Sequence, residues 1–168
     1  IAFILCEVYI VINGGSILPG ESILKTIGLI LLTTATSSAM VAFIVTFFKS
    51  QNAFTSFSTV LGTLIGFLTG IYIPVGSLPD SVQLVVKLFP ISHAAVLFRQ
   101  VFMEVPMAES FTGAPVALVE DFKLTLGVVF SYGDSIMDSW VHLVVLGVSF
   151  IFFLLLAIWR FKIKKNSI

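Results

Sequence analysis

Few residues in this chain have the type and setting that chemistry would need. Glu7 is the one ionisable carboxylate inside an apolar run, residues 1–13. Such a carboxylate usually faces a cavity or a partner, so Glu7 is a candidate for a substrate path. The alternative is that Glu7 lies near a membrane interface and reaches water or a partner there. His93 and His142 are the two histidines, and we expect both to be interfacial hydrogen-bonding residues rather than ligands.

Motifs for catalysis are missing from the sequence. It has no HExxH, no clustered His/Cys set for a metal and no pair of carboxylates beside a nucleophile. It also lacks GxxxxGK[ST], the loop that cradles nucleotide phosphates. We therefore predict no catalytic residue, no metal ligand and no cofactor in this chain. If the process is driven by ATP, another polypeptide or another part of the protein supplies the energy.

The composition points to a membrane protein. Hydrophobic residues make up 58% of the 168 positions and charged residues 11%, whereas soluble domains carry about 25% charged residues. Nine basic residues balance nine acidic ones, so no basic field exists to attract nucleic acid, and we do not expect nucleic-acid binding. The predicted fold class is all-α, a polytopic membrane helix bundle surrounded by lipid.

Charge-free stretches locate the membrane helices. A helix needs roughly 20 apolar residues to cross the bilayer, because lipid cannot satisfy backbone polar groups. Residues 1–13 look like part of a further helix, so we expect the chain, 1–168, to be the C-terminal part of a longer membrane domain. The stretches that meet the test in full are 26–48, 53–75 and 139–159.

Basic residues set the predicted orientation. The tail 160–168 carries Arg160, Lys162, Lys164 and Lys165 and no acid, which favours a cytoplasmic C-terminus in a multi-pass cell-membrane protein. The segment 76–138 would then lie outside. It contains two short apolar runs, 80–89 and 91–104, separated by Pro90. We predict a re-entrant hairpin of short helices there, followed by a loop with one short helix near 118–130.

Small residues recur inside two of the predicted helices. Gly62, Gly66 and Gly70 are spaced by four, so they would share one helix face that another helix can approach closely. A subunit interface and routine packing within the chain explain this spacing about equally well. Hydroxyl residues, among them Thr33, Thr36 and Ser37, gather in the preceding helix. They line a translocation path in one interpretation and serve small-residue packing in the other, which we favour somewhat.

The order of motifs between Lys49 and Phe102 resembles the membrane subunit of type-2 ABC transporters. In that family a small-residue helix is followed by a short cytoplasmic turn and a helix that ends in G-x-[YF]-x-P. An L-P pair and a second Pro then precede a helix that contains an Arg. The matching residues here are Gly70, Tyr72, Pro74, Leu78, Pro79, Pro90 and Arg99.

The resemblance implies an architecture and partners. Such a permease has six membrane helices per subunit, and the present chain would hold the third, in part, to the sixth. Two permease subunits, identical or different, work with two ATPase subunits, which bind ATP and Mg. The short turn with Lys49, Gln51 and Asn52 would be a secondary contact with the ATPase. An apolar outer gate would lie at Thr69, Tyr72, Ile73 and Pro74.

The leading interpretation is thus the permease subunit of an ATP-driven exporter of drugs, peptides, lipids or glycan-type substrates. The long outer segment tilts this toward drug or peptide export, including multidrug efflux. The alternative is a membrane scaffold or immunity-type protein that reuses the fold without transport. An intramembrane enzyme ranks last, since no catalytic constellation is present.

Overall fold

A computed structural model describes residues 1–15, 17–133 and 135–165. The described chain is almost entirely helical, which confirms the predicted all-α class. The helices are α1 (Ala2–Ile12), α2 (Gly20–Val45), α3 (Gln51–Leu68), α4 (Asp80–Leu88), α5 (Pro90–Ser110), α6 (Val116–Leu126) and α7 (Ser139–Lys165), with a 3₁₀ turn at Val75–Ser77 and a two-stranded antiparallel ribbon, β1 (Ser131–Tyr132) and β2 (Ser135–Ile136).

Helices α2, α5 and α7 pack together as a three-helix bundle. Leu29, Leu97 and Leu146 from the three helices meet in its core, with Ala94 and Val101 filling the space between them. Lipid is as apolar as leucine, so close packing and interhelical hydrogen bonds hold such a bundle together, rather than expulsion of water. The small Ala94 lets α5 approach its neighbours.

Among the described residues, two single helices are long and apolar enough to cross a membrane, Gly20–Val45 and Ser139–Ile163. At 1.5 Å per residue each exceeds the roughly 30 Å of hydrocarbon. The first begins earlier than the predicted 26–48 because Pro19 caps it, and Pro is compatible with a helix start. The second runs past the predicted 139–159 into the basic tail, where Arg and Lys are good helix formers. Residues 166–168 of that predicted tail lie outside the described residues.

Helix α3 differs from its prediction. The apolar run 53–75 predicted one full span, but the helix ends at Leu68, and α3 is not among the helices that meet the length and composition test. Gly70 has a φ of +71°, a left-handed conformation that stops an α-helix. At the other end, Ser50 Oγ accepts a hydrogen bond from the backbone N–H of Ala53 at 3.3 Å, so the helix starts at the polar Gln51.

The break predicted at Pro90 is present, whereas a re-entrant path of this segment stays a prediction. Helices α4 and α5 meet at 90° there, in the geometry of a broken span or a re-entrant loop. Pro90 occupies the first turn of α5 and forces Phe89 into an extended conformation. α5 continues to Ser110, beyond the predicted 104, through Pro106. We call the end of the bundle where this hairpin packs, and where α2 and α7 begin, the hairpin end.

Helix α6 covers the hairpin end. It corresponds to the helix predicted near 118–130, and ends at Gly127, whose φ is +67°. The 3₁₀ turn packs against it so closely that a Cβ on Gly76 would come within 2.5 Å of Thr125 Cα. Helix α1 contacts the hairpin through Phe3, whose ring centroid lies 6.2 Å from that of Phe102.

Candidate functional site

Arg99 joins the ends of two helices. Its Nη2 donates to the carbonyl oxygens of Thr69 at 2.7 Å and Gly70 at 3.0 Å, where α3 ends. Its Nη1 donates to the carbonyl of Gly127 at 3.4 Å, where α6 ends. Free carbonyls at a helix C-terminus carry partial negative charge, and the forked guanidinium can reach several of them. Arg99 therefore holds α3, α5 and α6 together without a carboxylate in this contact.

Gly70 and Gly127 make room for this arrangement. Both have positive φ, +71° and +67°. A Cβ on either residue would crowd Val75 Cγ2, at 2.7 Å and 3.1 Å, and the Arg99 guanidinium, at 3.2 Å and 3.4 Å. Each position thus requires glycine for its backbone conformation and for the close approach of Val75 and Arg99. We call Arg99, Thr69, Gly70, Val75 and Gly127 the arginine node.

The chain turns back on α3 after Gly70. The backbone N–H groups of Ile71 and Tyr72 both donate to the carbonyl of Gly66, at 3.0 Å and 3.3 Å. The Tyr72 ring then lies so close to Gly66 that a Cβ there would overlap it. The ring also packs edge-on against Phe67, with centroids 5.0 Å apart.

The three predicted glycines therefore have different surroundings. Gly66 packs against its own chain at Tyr72, Gly70 lies beyond the helix, and Gly62 is exposed with no heavy atom within 4 Å of an added Cβ. The three glycines were predicted to share one helix face. Because α3 stops at Leu68, that face ends at Gly66 and does not include Gly70. A subunit interface at Gly62 stays a prediction.

The predicted gate residues fall on both sides of this turn. Thr69 is buried, and its hydroxyl donates to the Ile65 carbonyl at 2.7 Å. Tyr72 and Ile73 are exposed, and Pro74 leads into the 3₁₀ turn. Ser92 Oγ on α5 fastens the end of α3 further by donating to the Leu68 carbonyl at 2.8 Å. An exposed apolar loop therefore follows a helix end that is fixed by hydrogen bonds.

A buried histidine pair lies next to the hairpin corner. His93 Nδ1 and His142 Nδ1 are 2.7 Å apart, and His93 Nε2 lies 2.8 Å from the carbonyl oxygen of Lys87. A carbonyl only accepts, so His93 Nε2 carries the hydrogen, and in a neutral pair His142 Nδ1 donates to His93 Nδ1. His142 Nε2 is then an acceptor, and it is buried with no hydrogen-bond partner among the described residues. Phe130 packs edge-on against both rings.

The candidate path residues are dispersed. Thr36 is buried, and its hydroxyl hydrogen is shared between the carbonyls of Leu32 on α2, at 2.8 Å, and Leu146 on α7, at 3.3 Å. This favours the packing interpretation for Thr36. Thr33 and Ser37 are half-buried, and Thr33 Oγ1 has no hydrogen-bond partner in the part of the chain that is described.

Glu7 braces the connection between α1 and α2. Its Oε2 accepts a hydrogen bond from the backbone N–H of Leu18 at 3.1 Å, whereas Oε1 is buried and has no partner in the part of the chain that the structure describes. The short link between α2 and α3 lies at the bundle end opposite the hairpin, and Lys49, Gln51 and Asn52 are all exposed there. Those three side chains are free to meet a partner protein.

The described residues contain no group of three or more His, Cys, Asp or Glu that could hold a metal ion. Sequence reasoning noted Arg99 without giving it a role, and treated the two histidines separately. Arg99 is the single charged residue between Pro90 and Met103, and a cation in such a run is the signal that could have indicated a buried partner for it. The histidine pairing had no sequence signal, since the two residues are 49 positions apart.

Comparison with known proteins identifies the family. The sequence model of the ABC-2 family transporter protein matches residues 1–159. No curated protein and no solved structure matches the chain. The chain belongs to the ABC-2 transporter family, and its fold is that of a membrane permease subunit with apolar spanning helices.

Proposed function

We propose that this chain builds part of the translocation path of an ATP-driven exporter, together with a second permease subunit and a separate ATPase that binds ATP and Mg. The observation that carries the proposal is the setting of α3. This helix is held at its C-terminal end by Arg99 and Ser92, while its middle lacks extensive packing against the other described helices.

Part of the exposed surface of α3 is polar for a membrane helix, and Val60, Leu64 and Phe67 are exposed beside it. Thr55, Thr59 and Thr63 are exposed, and each hydroxyl donates to the carbonyl four residues earlier, at 3.0 to 3.2 Å. Their oxygen lone pairs remain available, and Gly62 beside them leaves room for a close neighbour. In lipid such a face is stabilised by another helix or by water, so it fits a path shared by two subunits.

The turn after α3 supplies the gate in this proposal. Tyr72 and Ile73 form an apolar obstruction whose base is fixed by the arginine node. Closure of the ATPase subunits, transmitted in part through Lys49, Gln51 and Asn52, would tilt the permease halves and part this obstruction. With the basic end of α7 on the cytoplasmic side of a cell membrane, the gate faces the outer side. Drug or peptide export suits the long segment at that face.

Copurification with an ATPase tests this function. We would purify the full-length protein in detergent, identify a bound nucleotide-binding subunit and measure hydrolysis. Gly62→Phe should lower the ATPase rate severalfold because the ring blocks the exposed face of α3. Gly147→Phe on α7 is the matched control, since its Cβ also meets nothing within 4 Å, and should leave the rate unchanged. Recovery of the permease alone, without hydrolysis, would overturn the proposal.

A further inference from the structure

A large cavity lies at the hairpin end, away from α3 and the proposed gate. Its volume is about 920 Å³, and its walls come from α2, α5, α6 and α7. Small-molecule sites usually measure about 300–1,000 Å³ and have mostly apolar walls with a few polar groups. The walls here are of this kind, and they include Met103 and Met107, whose flexible side chains adapt to irregular ligands.

The position of the cavity favours a lipid. Two of its walls, α2 and α7, are the helices able to span the membrane, and it lies near where both begin, at Lys25 and Ser139. An acyl chain moved from the bilayer into an apolar cavity exchanges one apolar surrounding for another. The chain therefore gains little from the transfer, and the head group decides which lipid binds.

The charges at the cavity indicate the head group. Lys25, Lys123 and Glu104 are its three ionisable side chains. Lys25 forms an ion pair with Glu21 at 2.7 Å on α2, and Glu104 is exposed to solvent. Lys123, at the end of α6, is half-buried and forms no ion pair within the described residues. A partly buried ammonium without a carboxylate is complementary to an anion.

Two polar residues that line the cavity, Gln100 and Ser139, are already hydrogen-bonded. Ser139 Oγ donates to Gln100 Oε1 at 2.7 Å, and Gln100 Nε2 donates to the carbonyl of Val128 at 3.0 Å. These groups therefore do not require a polar ligand in the interior. From the apolar walls, the hydrogen-bonded Gln100 and Ser139, and the lack of an ion pair at Lys123 among the described residues, we propose that this cavity binds an anionic membrane lipid, with its phosphate at Lys123 and one acyl chain between α2 and α5.

Photolabelling tests this site independently of transport, because it needs no ATP. The full-length protein would be placed in zwitterionic vesicles containing a trace of anionic phospholipid with a diazirine in its chain. Labelling is then mapped by mass spectrometry. We expect label on the α5 segment around Met103 and Met107, and about fivefold less with a zwitterionic phospholipid of the same chain, as expected for one lysine near an anionic lipid.

Two variants, each with a control, make the test more specific. Lys123→Gln should reduce anionic labelling to the zwitterionic level, whereas Lys49→Gln at the opposite end should not. Gly28→Phe should abolish labelling, because Gly28 lines the cavity and nothing lies within 4 Å of its added Cβ. Gly147→Phe on α7, outside the cavity, is its control. Equal labelling by both head groups, or labelling unaffected by Lys123→Gln, would overturn the proposal.

Discussion

Arg99 and Gly70 depend on each other in this structure. The guanidinium donates to the Gly70 carbonyl at 3.0 Å, and the same guanidinium lies where a side chain at position 70 would extend, 3.2 Å from an ideal Cβ. The end of α3 is therefore defined by a residue 29 positions away. The loop that follows, which is the proposed gate, is positioned by this contact.

Replacing Arg99 should loosen the hairpin end. Arg99→Met leaves carbonyls of α3 and α6 without their cation, and hydrogen bonds to charged groups contribute about 1.5–3 kcal/mol. We expect a loss of that order in the free energy of unfolding, measured in detergent. Arg99→Lys should retain part of it, because an ammonium keeps the charge without the fork. Arg160→Met, which removes a half-buried guanidinium 4.7 Å above the Phe47 ring, should cost only about 1 kcal/mol, the value of a single cation–π contact. Equal losses in both variants would argue against the arginine node.

Two glycines with similar backbone conformations allow the cost of that conformation to be distinguished from the cost of steric crowding. Gly127 and Gly113 have φ of +67° and +79°, so alanine at either should cost about 1–2 kcal/mol for the left-handed conformation. Gly127→Ala should cost at least about 1 kcal/mol more, because its Cβ meets the buried Val75 and Gly113 has open space. Thermal unfolding of the two variants measures the difference. A Gly113→Ala variant as unstable as Gly127→Ala would contradict the packing described at Val75.

The histidine pair should behave as a coupled unit. His142→Phe leaves His93 Nδ1 buried without a partner, at a cost of about 1–3 kcal/mol. His93→Phe likewise leaves the Lys87 carbonyl and His142 unpaired. In the double variant the unpaired imidazole disappears, so its free energy of unfolding should fall by less than the sum of the two single losses. Additive losses would show that the two rings do not share a hydrogen bond.

We expect Thr36 to stabilise the fold through its hydrogen bond to α7. Thr36→Val keeps the shape and removes the hydroxyl shared with the Leu146 carbonyl. Interhelical hydrogen bonds in membranes average about 0.6 kcal/mol, with a maximum near 1.7, so we expect a loss in this range in a detergent unfolding assay. Thr63→Val on the exposed face of α3 is the comparison, and it should be neutral for the isolated chain. A neutral Thr36→Val would place the hydroxyl outside the α2–α7 contact.

Hydrophobic runs and prolines predicted much of this fold, but not where α3 ends. The break at Pro90 is a local property of proline, and the charge-free stretch 139–159 is long enough to identify its helix. The apolar sequence after Leu68, however, continues to Val75 without a charge. Its turn arises from Gly70, from Tyr72 packing on Gly66 and from the distant Arg99. Contacts between residues far apart in sequence leave no periodic pattern.

The central claim is that the loop after α3 is a gate moved by ATP, and cysteine accessibility tests it most directly. Ile73→Cys would be introduced with Cys6→Ala, which removes the protein's single cysteine, and the full transporter with its ATPase would be placed in vesicles. Tyr132→Cys, exposed on β1, is the reference site. The measured quantity is the rate of reaction with a membrane-impermeant maleimide. We predict that this rate changes severalfold at position 73 between the nucleotide-free and ATP-trapped states, whereas the rate at position 132 stays unchanged. Identical labelling at position 73 in both states would contradict the account.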